Sequence, residues 1–264
     1  MSGFMDIITA GNLTYKQKGL HLAQAAENSE HPLKTTKEFD RLFAAHAIDD
    51  MCEGNAPYRP RYIAPDYQLF AEQGSDFLRL DAPKDLDDLL WGLAMLYDNV
   101  PSVTSRPVYV GQLDRIIEPF IANLDDESVM DRLARFLDYV DRTVASGYCH
   151  ANIGPEYTRA GELLLRVEQR LQNAVPNFTL KYDPAITPDG YARLALETTM
   201  LCSNPAFAND RIHRETYPDD YTVVSCYNVL PLRGGAYCLD RILLPHLAEL
   251  ATGVDAFMDN LIPK

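Results

Sequence analysis

The sequence predicts an α/β protein: a mainly helical N-terminal region, then strands alternating with helices. Two observations predict this. Up to about residue 100, capping signals and apolar residues at helical spacing recur with little strand signal between them. Over residues 107–262, short apolar runs rich in β-branched and aromatic residues alternate with amphipathic helical stripes, the pattern of a parallel sheet layered with helices.

In the N-terminal region, Thr14 with Gln17 and Thr35 with Glu38 have capping-box spacing. Phe39, Leu42, Phe43, His46 and Met51 continue the second helix at helical spacing. Pro57 to Tyr67 cannot be a helix interior, because proline lacks the backbone donor. Leu86, Leu89, Leu90, Leu93, Leu96 and Tyr97 form the cleanest amphipathic stripe. Asp85, Asp87 and Asp88 at its start suit the positive end of the helix dipole rather than a carboxylate site.

After Pro101 the pattern turns to alternation. Pro107–Gly111 reads as a buried strand, followed by helices over Leu113–Ile121 and Leu133–Val144. Tyr148–Ile153 is a strand, Leu163–Leu171 a helix and Phe178–Tyr182 a strand. Thr187 as N-cap and Pro188 at the first helical position open another helix. Tyr221–Leu230 is the strongest strand, and a helix from about Leu243 to Leu261 follows. Four strands are too few to close a barrel, whose smallest common form has about eight. No repeat or linker divides the chain, so residues 1–264 are expected to form one domain; four parallel strands capped by helices can stand alone, whereas a half-barrel exposes an unpaired edge.

The net charge of −14 repels polyphosphate, and the short basic stretch around Arg59 and Arg61 is broken by prolines, so a nucleic-acid partner is excluded. No apolar run reaches the roughly 18 residues of a membrane helix. The N-terminus lacks the basic and apolar regions of a signal peptide, and the five cysteines form no disulfide frame. A cytoplasmic protein with no membrane partner is therefore expected.

Common chemical signatures are absent: no GxGxxG, GxxxxGK[ST], GxSxG, CxxC or HExxH occurs. No metal site is expected from six histidines and five cysteines without ligand spacing, and Cys149 and His150 should point to opposite faces of a strand. His46 reads as a core or interface histidine, while His213 and His246 have no neighbouring partner in sequence. The segment VVSCYNVLPLRGGAYC, residues 223–238, remains. Within it Cys226 is either a small buried hydrophobe, the usual fate of a free cysteine, or a reactive thiol at a strand end; composition leaves both open.

The blocks EGNAPYRPRYIAPDY from Glu53, KDLDDLL from Lys84 and PSVTSRPVYVGQLD from Pro101 continue with HANIGP from His150, YDPAITPD from Tyr182 and VVSCYNVLPLRGG from Val223. Six blocks in this order resemble the YjjI-type family of glycyl radical enzymes, within the pyruvate formate-lyase-like superfamily. The resemblance covers roughly residues 12–242. It implies half of a ten-stranded α/β barrel carrying a cysteine loop, with Cys226 as the thiyl radical that abstracts hydrogen from a small organic substrate. An S–H bond is close in strength to a glycine Cα–H, so hydrogen exchange between them is nearly balanced.

Neighbouring residues narrow the chemistry. Ser225 stands where pyruvate formate-lyase has a second cysteine, so acyl transfer through paired thiols is not implied. Asn228 stands where the diol-dehydratase branch has a glutamate; it can orient a substrate but cannot take a proton. His150, Asn152 and Asp183, at strand ends, are the other candidate substrate contacts, each with a strand-ending or turn role as the alternative.

The family's radical glycine lies in an Arg-Val-[Ser/Thr]-Gly-[Tyr/Phe] motif near the end of a longer chain. Nothing after Asp240 matches it, and Ser146-Gly147-Tyr148 lacks the Arg-Val step and precedes HANIGP. The chain therefore resembles the N-terminal half alone, with no cofactor bound to it. The resemblance implies as partners a radical S-adenosylmethionine iron–sulfur activating enzyme and a separate polypeptide with the second half-barrel. A second copy of the chain, as a homodimer, is a further expected partner, and a catalytically inactive truncated remnant or interaction protein is the alternative function.

Overall fold

The computed structural model describes residues 2–27, 34–50, 62–104, 109–144, 149–224, 228–233, 235–236 and 240–261. Helices α1 (Ser2–Thr9), α2 (Tyr15–Glu27) and α3 (Lys37–Ala44) lead to the short strands β1 (Ile48–Asp50) and β2 (Tyr62–Ile63). Then come α4 (Tyr67–Gln73), α5 (Leu86–Thr104), β3 (Tyr109–Val110), α6 (Leu113–Ile117) and α7 (Asp126–Thr143). The alternating stretch continues through β4 (His150–Ile153), α8 (Arg159–Leu171), β5 (Asn177–Tyr182), α9 (Asp189–Cys202), β6 (Ala206–Asn209) and α10 (Asp210–Thr216). Four strands, β7 (Tyr221–Val224), β8 (Asn228–Pro231), β9 (Gly235–Ala236) and β10 (Asp240–Ile242), precede α11 (Leu244–Glu249) and α12 (Val254–Leu261).

The expected capping box at Thr14 is present: the Thr14 N–H donates to the Gln17 side chain at 2.9 Å and the Gln17 N–H to the Thr14 hydroxyl at 3.3 Å. At α3 the cap is Thr36, whose hydroxyl accepts the Phe39 N–H at 3.1 Å, not Thr35. That helix ends at Ala44, so His46 lies beyond it with φ 54°. Helix α5 runs on past Pro101 to Thr104. Pro188 is the N-cap of α9 rather than its first helical residue, and the Thr187 hydroxyl accepts the Asp183 N–H instead. The final helix is two, α11 and α12, separated at residues 250–253.

Strands β3-β4-β5-β6 form a parallel sheet in that order. Its fourth strand is β6, not Tyr221–Leu230 as the sequence predicts. The latter stretch is an antiparallel pair, β7 with β8, in which Val224 faces Asn228 across the register. Strand β6, Ala-Phe-Ala-Asn, has no β-branched residue to announce it. The region before residue 100 also holds β1 and β2, which pair antiparallel with β10 and β9.

Alternation along the parallel strands separates two faces. Val110, Ala151, Ile153, Phe178 and Leu180 join one buried cluster with apolar residues of α5 to α9, including Leu93, Leu133, Leu164 and Ala195. Helices therefore cover that face. The other face is covered by the β7–β8 hairpin.

Candidate functional site

The hairpin face carries Tyr109 of β3, His150 and Asn152 of β4, and Lys181 of β5, with Thr179 in register beside Asn152. Strand β7 crosses this face against the direction of the sheet. At its start, Asp220 accepts both Gln112 contacts at 2.8 Å just beyond β3, and Lys181 near the end of β5 donates to the Tyr221 carbonyl. At its other end, Val224 packs on Tyr109, the first described residue of β3. Gly111 makes the approach possible: a Cβ there would lie 3.2 Å from the Thr222 Cβ.

Strand β8 lies along one side of β7, so the opposite backbone edge needs other partners. Side chains of the sheet supply them. The Asn152 amide donates to the Val223 carbonyl at 2.9 Å, and its oxygen accepts the Val223 N–H at 2.7 Å. The Thr222 hydroxyl also donates to that oxygen, at 3.1 Å. Lys181 is 1% exposed; its ammonium lies 3.4 Å from Asp220 and 4.2 Å from the centre of the Tyr221 ring. Burial lowers the Lys181 pKa, and Asp220 opposes that shift by attraction. The Tyr221 hydroxyl donates to the fully buried Asp210 carboxylate at 2.6 Å, which Arg214 also binds. Burial first, and then that carboxylate, push the Tyr221 pKa upward.

Cys226 lies outside the described residues, in the segment joining Val224 to Asn228. Asn228, exposed, is the first residue of β8. His150 is half-buried beside Tyr109, ring centres 5.4 Å apart, and its Nδ1 has no hydrogen-bond partner among the described residues. Burial holds its pKa down at about 4, so the imidazole is neutral at pH 7. Asn152 has no exposed surface, and its amide is engaged by the hairpin. Asp183 is buried in the turn after β5, where its carboxylate accepts the Ala185 N–H at 2.8 Å. Tyr109, His150 and Asn152 thus gather along the path of β7, while Asp183 sits in the β5–α9 turn.

Among the described residues, no group of three His, Cys, Asp or Glu side chains could hold a metal ion, and no helix is long and apolar enough to cross a membrane. Cys149 is buried in the helix-face cluster, opposite His150 as expected, and burial raises its pKa. A cleft of about 470 Å³ opens at the base of the hairpin, lined by Asp66, Tyr217, Asp219, Asp220, Leu232 and Arg233. It lies at the Asp220 end of β7, away from Val224. Sequence reasoning missed Lys181, Asp210 and Asp220. Alternation in Asn177–Tyr182 places Lys181 with Thr179 on one face, the one signal for it.

The YjjI-like glycyl radical enzyme family model matches residues 13–264. An uncharacterized protein of Haemophilus influenzae is 43% identical over 267 residues, covering 100% of this chain and 52% of the relative. The Escherichia coli protein YjjI, also uncharacterized, is 41% identical, covering 98% of this chain and 50% of its own length. The chain spans about half the length of the curated relatives it matches. The anaerobic ribonucleotide reductase of Thermotoga maritima, solved with citrate in its active site, matches with a TM-score of 0.62 at 14% identity. That match covers 94% of this chain and 53% of the reductase, and it shows a shared fold. With the family model spanning nearly all of the sequence and the fold agreeing, this chain belongs to the YjjI-like family of glycyl radical enzymes.

Proposed function

We propose that this chain is the cysteine-bearing portion of a YjjI-type glycyl radical enzyme, with Cys226 as the hydrogen abstractor. The Cys226 thiol gives its hydrogen atom to a glycyl radical. The resulting thiyl takes a hydrogen atom from a carbon of a small organic substrate, leaving S–H and a substrate radical. Return of a hydrogen atom to the product radical regenerates the thiyl, so the cycle consumes no electrons. The radical glycine is assigned to the part of the relatives' length that lies outside these residues. An iron–sulfur enzyme using S-adenosylmethionine installs its radical.

One observation supports this reading above the rest. The two strands flanking Cys226 in the chain lie on the sheet's polar face, with β7 anchored by buried side chains of β4 and β5. An anchored strand is a way to hold a reactive thiol at a set position. His150 and Asn228 are the proposed substrate contacts; neutral at pH 7, they suit orientation better than proton removal.

Anaerobic incubation of the chain alone with the activating enzyme and S-adenosylmethionine is expected to give no glycyl doublet by electron paramagnetic resonance. Adding a polypeptide that carries the second half should produce one. A strong doublet from this chain alone contradicts the proposal.

A further inference from the structure

Asn152 binds one backbone residue, Val223, through both ends of its amide. We propose that Asn152 is a positioning residue: by holding Val223 it fixes the end of β7 from which the segment bearing Cys226 departs. This rests on the reading of Cys226 as the hydrogen abstractor, and it gives Asn152 a role other than substrate contact.

The chemistry of the side chain argues for this. The paired N–H and C=O of Val223 ask for one donor and one acceptor side by side, as an antiparallel strand neighbour would offer them. A primary amide has that pair; a carboxylate has two acceptors and a hydroxyl is a single atom. Asn152 is fully buried, so water cannot substitute for a lost bond. It stands within β4, where it is in register with Thr179 of β5, so its backbone is held by the sheet. The Thr222 hydroxyl, donating to the same oxygen, fixes the orientation of the amide. Hydrogen-atom transfer depends steeply on donor–acceptor distance, and a strand held at Val223 restricts that distance.

The test is the alkylation rate of Cys226 by iodoacetamide in the whole chain, read by peptide mass mapping, with Cys202 as internal control. Rates in Asn152→Asp and Asn152→Ala are divided by wild-type rates at the same pH, which cancels the titration of the thiol. At about pH 8 the introduced carboxylate accepts the Val223 N–H but repels its carbonyl. Once protonated, it donates to that carbonyl and restores both bonds. The Asn152→Asp ratio should be several-fold above one at the higher pH and return toward one as the pH falls. The Asn152→Ala ratio should stay raised throughout, and Cys202 should be unchanged in both variants.

Ratios of one for Cys226, a pH-independent Asn152→Asp ratio, or a parallel rise at Cys202 would overturn the proposal. If both variants fail to fold by circular dichroism, Thr222→Val decides. It removes one bond to the Asn152 oxygen at nearly constant volume and should raise the Cys226 rate by a smaller factor; no change overturns the proposal. The readout needs no radical, so a pinned thiol that proves inert in radical transfer would defeat the functional reading and leave the positioning role standing.

Discussion

His150 and Glu168 bind protons in opposite senses. Burial holds the His150 pKa at about 4, below its ordinary 6.5. Glu168, on α8, is fully buried, with neither carboxyl oxygen in hydrogen-bond geometry among the described residues. Burial pushes its carboxyl up from 4.5 to about 7, with the nearby Asn204 amide acting in the opposite direction. For His150 the folded pKa is depressed, so its contribution to stability is complete above pH 6.5 and is lost as the pH falls toward 4. For Glu168 the folded pKa is raised, so its contribution is complete below pH 4.5 and is lost as the pH rises through 7. Each amounts to about 3 kcal/mol across its window, and over the shared range the two slopes oppose one another. Glu168→Gln should therefore gain stability relative to wild type as the pH rises from 4.5 to 7, and His150→Gln should show the opposite trend. Urea unfolding at several pH values measures both; profiles parallel to wild type would refute the assignment. Neither residue's burial is legible in sequence, where His150 is one of six histidines and Glu168 one of the surface-type residues of an amphipathic helix.

At the scale of elements, the β7–β8 hairpin rests on interactions that cross from strand to sheet. Lys181→Met preserves apolar volume but leaves the Tyr221 carbonyl without its ammonium partner and Asp220 without its cation. Breaking a buried charged contact from one side costs about 3 kcal/mol or more, so the urea midpoint should fall clearly. An unchanged midpoint would show that Lys181 does not anchor the hairpin. Most helices were legible because their apolar faces recur every three to four residues, as Leu86, Leu89, Leu90 and Leu93 do in α5. Three parallel strands were legible from apolar, β-branched runs between Gly and Pro. The fourth, β6, was not, because its alanines carry no strand preference. Nor was the pairing of Tyr221–Val224 with Asn228–Pro231, since no Gly or Asn-Gly marks a reversal between them. Two adjacent threonines, Thr35 and Thr36, explain the one-residue error in the cap of α3.

For the whole molecule, the parallel sheet ends in β3 on one side and β6 on the other, and its partner chemistry is the central claim. Phe207 of β6 and Leu196, Met200 and Leu201 of α9 are exposed apolar side chains. Family membership was readable from six ordered sequence blocks. The polar hairpin face was not, because burial of Asn152 and Lys181 depends on strands far apart in sequence. The most direct measurement combines this chain with an activated second-half polypeptide in deuterated buffer and follows the glycyl signal by electron paramagnetic resonance. The Cys226 S–H exchanges with solvent, and hydrogen-atom transfer then carries deuterium to the glycine. The doublet should collapse toward a single line with the wild-type chain and persist with Cys226→Ala. A doublet that persists with both, or collapses with both, would contradict the role assigned to Cys226.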